Sequence, residues 1–334
     1  MKPPFDIAGD LDTPVSAFAK LGAFNPRFLL ESVEGGERLA RYSFIGFGKC
    51  LEVKLDAAGL AVGNAKLPRP ANKAELLDAL RKALAAAPKP LPEMAGVPLA
   101  GGLVGYSSYD VVRYFERLPS NARADNLVPD LHYVAPESML VFDHLTRGIA
   151  LLHAGTEAER QSLRREVIGA LRGGFPNYAR GVAAVGSYSE AKGSLSRDEY
   201  MDGVKRTQEY IAAGDVYQLV LSSRFSGRHT LDPFEAYRAL RLINPSPYMY
   251  YCKLGDVTVV GSSPEALVKV NARGEAQLRP IAGTRPRADD PAADVQHEKD
   301  LLADVKENAE HVIDRKSTRL NSSHTVLSRM PSSA

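Results

Sequence analysis

Leucines 76, 77, 80 and 84 recur at helical spacing behind Asn72–Lys73–Ala74–Glu75, and Pro88 closes the run. That pattern predicts an amphipathic helix opened by a capping box. The same start signal stands at Thr156–Glu159, before a helix that Gly173–Gly174 would end, and at Ser196–Glu199, before one reaching Ala213 with Gly214 as its stop. Elsewhere the apolar residues come in short runs. Val216–Phe225 reads as a buried strand. Tyr248–Leu254, Val257–Val260, Ala266–Val270 and Ala276–Leu278 read as further strands, with hairpin turns at Gly255–Asp256 and Arg273–Gly274. Strands that follow one another this closely pair antiparallel, so an α+β fold is expected rather than a doubly wound sheet. The Gly-, Ala- and Ser-rich stretch Gly173–Gly193 interrupts the pattern and sets the expected division: an N-terminal region over 1–172, a linker over 173–195 and a second domain over 196–313.

A chain of 334 residues, 44% of them hydrophobic, can bury one large core or two ordinary ones. A formal net charge of +2, with no block of like charge, leaves no electrostatic footprint for nucleic acid. Cys50 and Cys252 are too few for a disulfide framework, so a reducing cytoplasm is the expected setting. The N-terminal MKPPFDIAGDLD carries no apolar signal core, and no run reaches membrane-spanning length.

Polar chemistry concentrates between Gly261 and Arg287. Gly261–Ser262–Ser263–Pro264–Glu265 is expected to turn between strands. Pro280–Ile281–Ala282–Gly283–Thr284–Arg285–Pro286–Arg287 gathers backbone N–H groups, a hydroxyl and two guanidiniums. Such a set suits a carboxylate or phosphate ligand, and equally a plain hairpin with solvated arginines. A helix over His297–Ile313 would put Glu307, Glu310 and His311 on one face. Their carboxylates suit Mg²⁺, which takes one or two protein carboxylates and keeps waters, although an ordinary charged face laced by Lys306 has the same pattern. His297–Glu298 is no zinc motif, because Leu301 stands where the second histidine belongs.

Six blocks in order along the chain resemble the chorismate-utilising enzymes. They are Phe28–Leu29–Leu30–Glu31–Ser32–Val33–Glu34–Gly35–Gly36–Glu37–Arg38 with Arg41–Gly46, Gly101–Tyr106 with Tyr109–Asp110, Gly214–Ser222, Asn244–Met249, Gly261–Glu265 and Pro280–Arg287. The member most resembled is the large subunit (component I) of anthranilate synthase. The resemblance implies two packed, mainly antiparallel sheets with outer helices and an active site between them. It implies a lyase that converts chorismate and ammonia to anthranilate and pyruvate with Mg²⁺, in tryptophan biosynthesis. The ammonia would come from a separate glutamine amidotransferase subunit, since no Cys-His glutaminase unit is visible, making the enzyme a hetero-oligomer.

Residue by residue, the resemblance maps Gly283 and Thr284 to chorismate contacts, Glu307 to a nearby active-site carboxylate and Glu310 to a magnesium ligand. It maps Glu31, Ser32, Pro247, Tyr248 and Met249 to segments that bind tryptophan as a feedback inhibitor. Ala282 stands where aminodeoxychorismate synthases carry lysine, and Gln218 where isochorismate synthases carry one; both favour anthranilate synthase over those alternatives. The family's later catalytic elements have no counterpart, so the resemblance implies a C-terminally truncated chain with little or no activity of its own; an inactive tryptophan-binding or partner-docking fragment is the remaining alternative. The tail 314–334 matches one reading frame of a common sequencing adapter and is read as non-native.

Overall fold

The computed structural model describes residues 4–33, 41–94, 96–119, 128–175, 186–271, 273–279, 281 and 283–312. Glu34–Arg38, Pro280, Ala282 and the tail over 314–334 lie outside the described residues. The helices are α1 (Pro14–Lys20), α2 (Lys73–Ala86), α3 (Glu157–Arg172), α4 (Arg197–Ala213), α5 (Pro233–Ile243) and α6 (Pro291–Ala303). The strands in the first half are β1 (Ile7–Ala8), β2 (Phe28–Glu31), β3 (Tyr42–Asp56), β4 (Gly59–Val62), β5 (Ala65–Leu67), β6 (Val104–Ser107), β7 (Leu131–Asp143) and β8 (Gly148–His153). Those in the second are β9 (Lys192–Gly193), β10 (Phe225–Ser226), β11 (Tyr248–Leu254), β12 (Val257–Ser263), β13 (Lys269–Val270) and β14 (Ala276–Gln277). Mixed helices and antiparallel ladders bear out the α+β class. Among the described residues the strands form one ten-stranded sheet and two two-stranded ladders.

Two compact units divide the chain: 1–175 with 237–334, and 176–236. The larger holds the ten-stranded sheet, ordered β1-β8-β7-β3-β2-β11-β12, with β4, β5 and β6 off this path. Tyr251, Leu29, Ile45, Leu140 and Leu151 face one another in register across five of these strands. All five are fully buried, at roughly 1.5–3 kcal/mol for each aliphatic side chain taken from water. α1 packs on β2 and β3, α3 packs on β8, and Phe18 of α1 meets Tyr251 edge to face at 5.3 Å. Cys252, Phe28, Gly46, Met139 and Leu152 form the next row, one residue along each strand and therefore on the opposite face. Four of them join the core cluster there; Gly46 supplies the room, since a Cβ on it would lie 2.3 Å from the Phe28 ring.

Local signals set the helix ends as expected at Thr156–Glu159 and Ser196–Glu199, where both capping boxes form, and at Gly214, which is left-handed with φ 81°. At Asn72 the outcome differs. Asn72 accepts from the Glu75 N–H, but Glu75 reaches back to Ala71 N–H and the Asn72 amide. The buried face of α2 is Leu76 and Ala83, with Ala79 and Leu80 beside them, while Leu84 turns outward.

Three expectations are corrected. Val216–Phe225 is not a buried strand: only Phe225–Ser226 enters a ladder, with Lys192–Gly193, and Val220 is 85% exposed. Among the described residues no strand pairs with 216–224, and an apolar run without a partner cannot form a ladder. Gly261–Ser263 does not turn but completes β12, because Gly261 leaves space for the Tyr250 ring, 2.1 Å from where its Cβ would be. The helix expected over His297–Ile313 is two: α6 starts earlier, behind its Asp290 cap, and Asp304 breaks it before a second helical segment over 305–312. No described helix is long and apolar enough to cross a membrane.

Gly46→Ala should destabilise the larger unit by about 1–3 kcal/mol through overpacking against Phe28 and Pro136. Urea unfolding followed by tyrosine fluorescence measures this; an unchanged midpoint would show that the Phe28 ring can yield.

Candidate functional site

The loop after β14 meets the helical segment 305–312 through one aspartate. Asp304 leaves α6 in an extended conformation, and its Oδ1 accepts hydrogen bonds from Lys306 N–H at 3.0 Å and Glu307 N–H at 3.1 Å. It is thereby the N-cap of the next helical segment. Its Oδ2 accepts from Arg285 Nη2 at 2.6 Å, and Arg285 Nη1 donates to the Thr284 carbonyl at 3.0 Å and lies 3.8 Å from Glu307 Oε1. Arg285 therefore ties Gly283–Thr284 to the start of the acidic helix. The Glu307 amide bond, the largest cause, and the Arg285 guanidinium hold the Asp304 carboxyl below its ordinary pKa.

Gly283 completes the junction. A Cβ there would sit 2.2 Å from Glu307 Oε2, so the carboxylate lies against bare backbone. Upstream, Glu265 Oε1 accepts from the Ile281 N–H at 3.3 Å and joins the end of β12 to the same loop. Gly283, Thr284 and Glu307 are thus brought together. Glu310 follows one turn after Glu307 and is half-buried like it, whereas His311 is exposed. Two carboxylates spaced i, i+3 on one helix face are a hard-oxygen set of the kind Mg²⁺ accepts. Among the described residues no group of three or more His, Cys, Asp or Glu could hold a metal ion. Gln218 belongs to the smaller unit, on its exposed 216–224 stretch.

A second cluster forms where β2 pairs with β11. Glu31 lies opposite Met249, so both side chains share the face that meets α5. There Tyr237 Oη donates to Glu31 Oε2, and Arg241 Nε lies 3.2 Å from the same oxygen. Glu31 is buried, and desolvation raises its carboxyl pKa against the opposing pull of Arg241 and Tyr237. Buried Ser246 accepts the Val33 N–H at its carbonyl and places its hydroxyl 3.4 Å from Met249 Sδ. Ser32 and Pro247 flank this cluster half-buried, while Tyr248, next to Met249 in β11, points to the other face.

Sequence reasoning missed Asp304, Tyr237 and Arg241; it named Arg285 only as a ligand-facing guanidinium, and Glu265 and Ser246 only within motif blocks, without the contacts they make. Asp304–Val305–Lys306–Glu307 carries a helix-start signal that would have located the break and its cap. No short-range signal marks Tyr237 or Arg241. A cavity of about 490 Å³, lined by Phe24, Phe47, Lys49, Glu137, His153 and Glu159 among others, contains none of the residues of either cluster.

The α+β frame sets a polar glycine loop against an acidic helix, and comparison identifies the class. Residues 25–320 match the sequence profile of the chorismate binding enzymes, and the chain belongs to that family. The matched span runs past Asp314, into the stretch read from sequence as non-native. Anthranilate synthase component 1 of Thermus thermophilus is 42% identical over 311 residues, covering 91% of this chain and 64% of that protein. The corresponding Pseudomonas aeruginosa protein is 38% identical over 92% of this chain and 65% of its own length. The crystal structure of anthranilate synthase component I from Streptococcus pneumoniae TIGR4 superposes with a TM-score of 0.67 at 26% identity, covering 97% of this chain and 68% of that one. The chain thus spans a little under two thirds of the curated relatives it matches.

Arg285→Ala should raise the Asp304 pKa only part of the way to its ordinary range, because the Lys306 and Glu307 amides still donate to it. Carboxyl-resolved NMR titration measures this; full return to the ordinary range would mean that the helix cap had been lost as well.

Proposed function

We propose that this chain is the greater part of an anthranilate synthase large subunit. The observation that carries this is the junction of Gly283, Thr284 and Glu307, in a chain 36–42% identical to anthranilate synthase components over more than 90% of its length. Chorismate would lose its ring hydroxyl as water while ammonia adds, across the conjugated diene, at the ring carbon next to the one that bears the carboxylate; elimination of pyruvate with the ring proton at that carbon would then leave the aromatic ring of anthranilate. The Gly283 N–H and Thr284 hydroxyl would hold the substrate, positioned by the Arg285–Asp304 bridge. Glu307, pressed against Gly283, would take up a proton as ammonia adds. Mg²⁺ held through Glu310, when bound, would neutralise the ring carboxylate and stabilise charge as the hydroxyl leaves.

Burial pushes Cys50 up to about 11 and Cys252 up to about 12, so neither supplies the thiolate that glutamine hydrolysis needs at neutral pH. Ammonia would come from a glutamine amidotransferase partner. Gln218, a neutral amide, is a poor base for activating water, which favours ammonia addition over isochorismate formation. Ala282 favours anthranilate over aminodeoxychorismate. Tryptophan would act as feedback inhibitor at Glu31, Ser32, Pro247, Tyr248 and Met249, in a cytoplasmic enzyme. The proposed organisation keeps an N-terminal region over 1–172, a linker over 173–195 and a catalytic part over 196–313, followed by the non-native tail.

One observation favours a second activity state: Glu31 stands opposite Met249 within the larger unit. The chain by itself would then bind tryptophan without converting chorismate.

Residues 1–312 fused to the remaining C-terminal segment of the Thermus thermophilus relative should release fluorescent anthranilate from chorismate, an ammonium salt and Mg²⁺. Isochorismate or aminodeoxychorismate as the product would refute the assignment. In that fusion Thr284→Val should lower kcat/KM by roughly 10–150-fold, the equivalent of one lost hydrogen bond of about 1.5–3 kcal/mol to a charged group.

A further inference from the structure

Glu31 has an uneven set of partners. Tyr237 and Arg241, one helical turn apart on α5, both engage Oε2, and no described group donates to Oε1. The carboxylate is nevertheless buried, on the strand face it shares with Met249. A buried carboxylate held at one oxygen presents the other as a ready acceptor for a cationic donor. An ammonium group on a ligand with a large apolar body fits the surroundings, because the Met249 thioether packs well against an aromatic ring.

We infer that Tyr237 and Arg241 are the positioning residues of the inhibitor site: they fix Oε2 of Glu31 and keep the group a carboxylate, so that Oε1 receives the ammonium of a bound amino acid. Both residues gain this role only if tryptophan binds as proposed above, and the inference rests on that reading. The charge balance supports it. Burial disfavours the carboxylate, while the Arg241 charge and the two donors favour it. Tyr237 and Arg241 face Glu31 directly; His144 lies near Arg241, and the Cys252 thiol near Tyr237. A protonated Glu31 cannot pair with an ammonium, so binding weakens as pH falls through the raised Glu31 pKa. Removing Arg241 leaves burial less opposed, raises that pKa further and moves the loss of binding to higher pH.

The test is calorimetric titration of the full chain with L-tryptophan from pH 5 to 8.5. The wild type should bind, with affinity falling toward the acid end. Arg241→Gln should bind roughly tenfold more weakly or worse at neutral pH, with its fall displaced to higher pH. Arg241→Lys, which keeps the charge, should return the fall toward the wild-type position, and Tyr237→Phe should shift it in the same direction as Arg241→Gln but less far. His144→Gln should leave the profile in place, which separates that imidazole's own titration. A wild-type profile in Arg241→Gln would overturn the inference while leaving the tryptophan site intact. A uniform weakening with no displacement along pH would reduce Arg241 to a structural role and overturn it equally. If the wild-type chain binds no tryptophan at any pH, the site assignment fails, and the inference with it. Unfolding midpoints of each variant identify any that lose binding by misfolding, and Arg241→Lys then decides.

Discussion

The pairing of β2 with β11 is the constraint on which the larger unit depends. Four residue pairs, from Cys252 opposite Phe28 to Met249 opposite Glu31, join the start of the chain to a strand more than two hundred residues later. Closing so long a loop costs only about 0.6 kcal/mol more per doubling of its length, so well-packed apolar rows can meet the cost. Two such rows cross the seam on opposite faces, and a slip of one residue would exchange them. Fixing the register for packing also decides the chemistry: Glu31 and Met249 arrive on one face because Leu29 and Tyr251 must be buried there.

The two polar clusters are built on different principles. At the glycine loop, an arginine and an aspartate bridge a turn to a helix start, and the absence of a side chain at Gly283 lets Glu307 approach the backbone. Thr284 is exposed and its other groups are half-buried, so the cluster keeps partial contact with water. At Glu31 the carboxylate is taken out of water and held by a hydrogen bond from Tyr237 and an ion pair with Arg241, both on one helix. Desolvation makes that charge expensive unless it is paired, and so makes the cluster selective for a ligand that brings a positive charge.

The smaller unit shows what an apolar pattern does without a neighbour. α4 forms as its caps dictate, and Tyr200 reaches the Leu221 carbonyl, but the run after Gly214 stays outside any ladder. Helices close their own hydrogen bonds and need only one face covered. Strands require a second extended segment in register, and among the described residues no strand pairs with 216–224, which meets its neighbours through single bonds such as Ser194 N–H to the Arg224 carbonyl.

The sequence by itself determined the α+β class, the helix starts at Thr156 and Ser196, the stop at Gly214, the hairpin at Gly255 and the family, because each depends on residues within a few positions or on several blocks in order. It also named Gly283, Thr284 and Glu307, which the fold brings together. Tertiary structure alone decided the rest. The break at Asp304 depends on Arg285 reaching across from another segment, and the run through Ser263 depends on Tyr250 lying over Gly261. Tyr248 parts from Met249 because strand alternation sends neighbours to opposite faces. Tyr237 and Arg241 carry no local signature, since their meaning lies in a carboxylate some two hundred residues away that only the sheet brings to them.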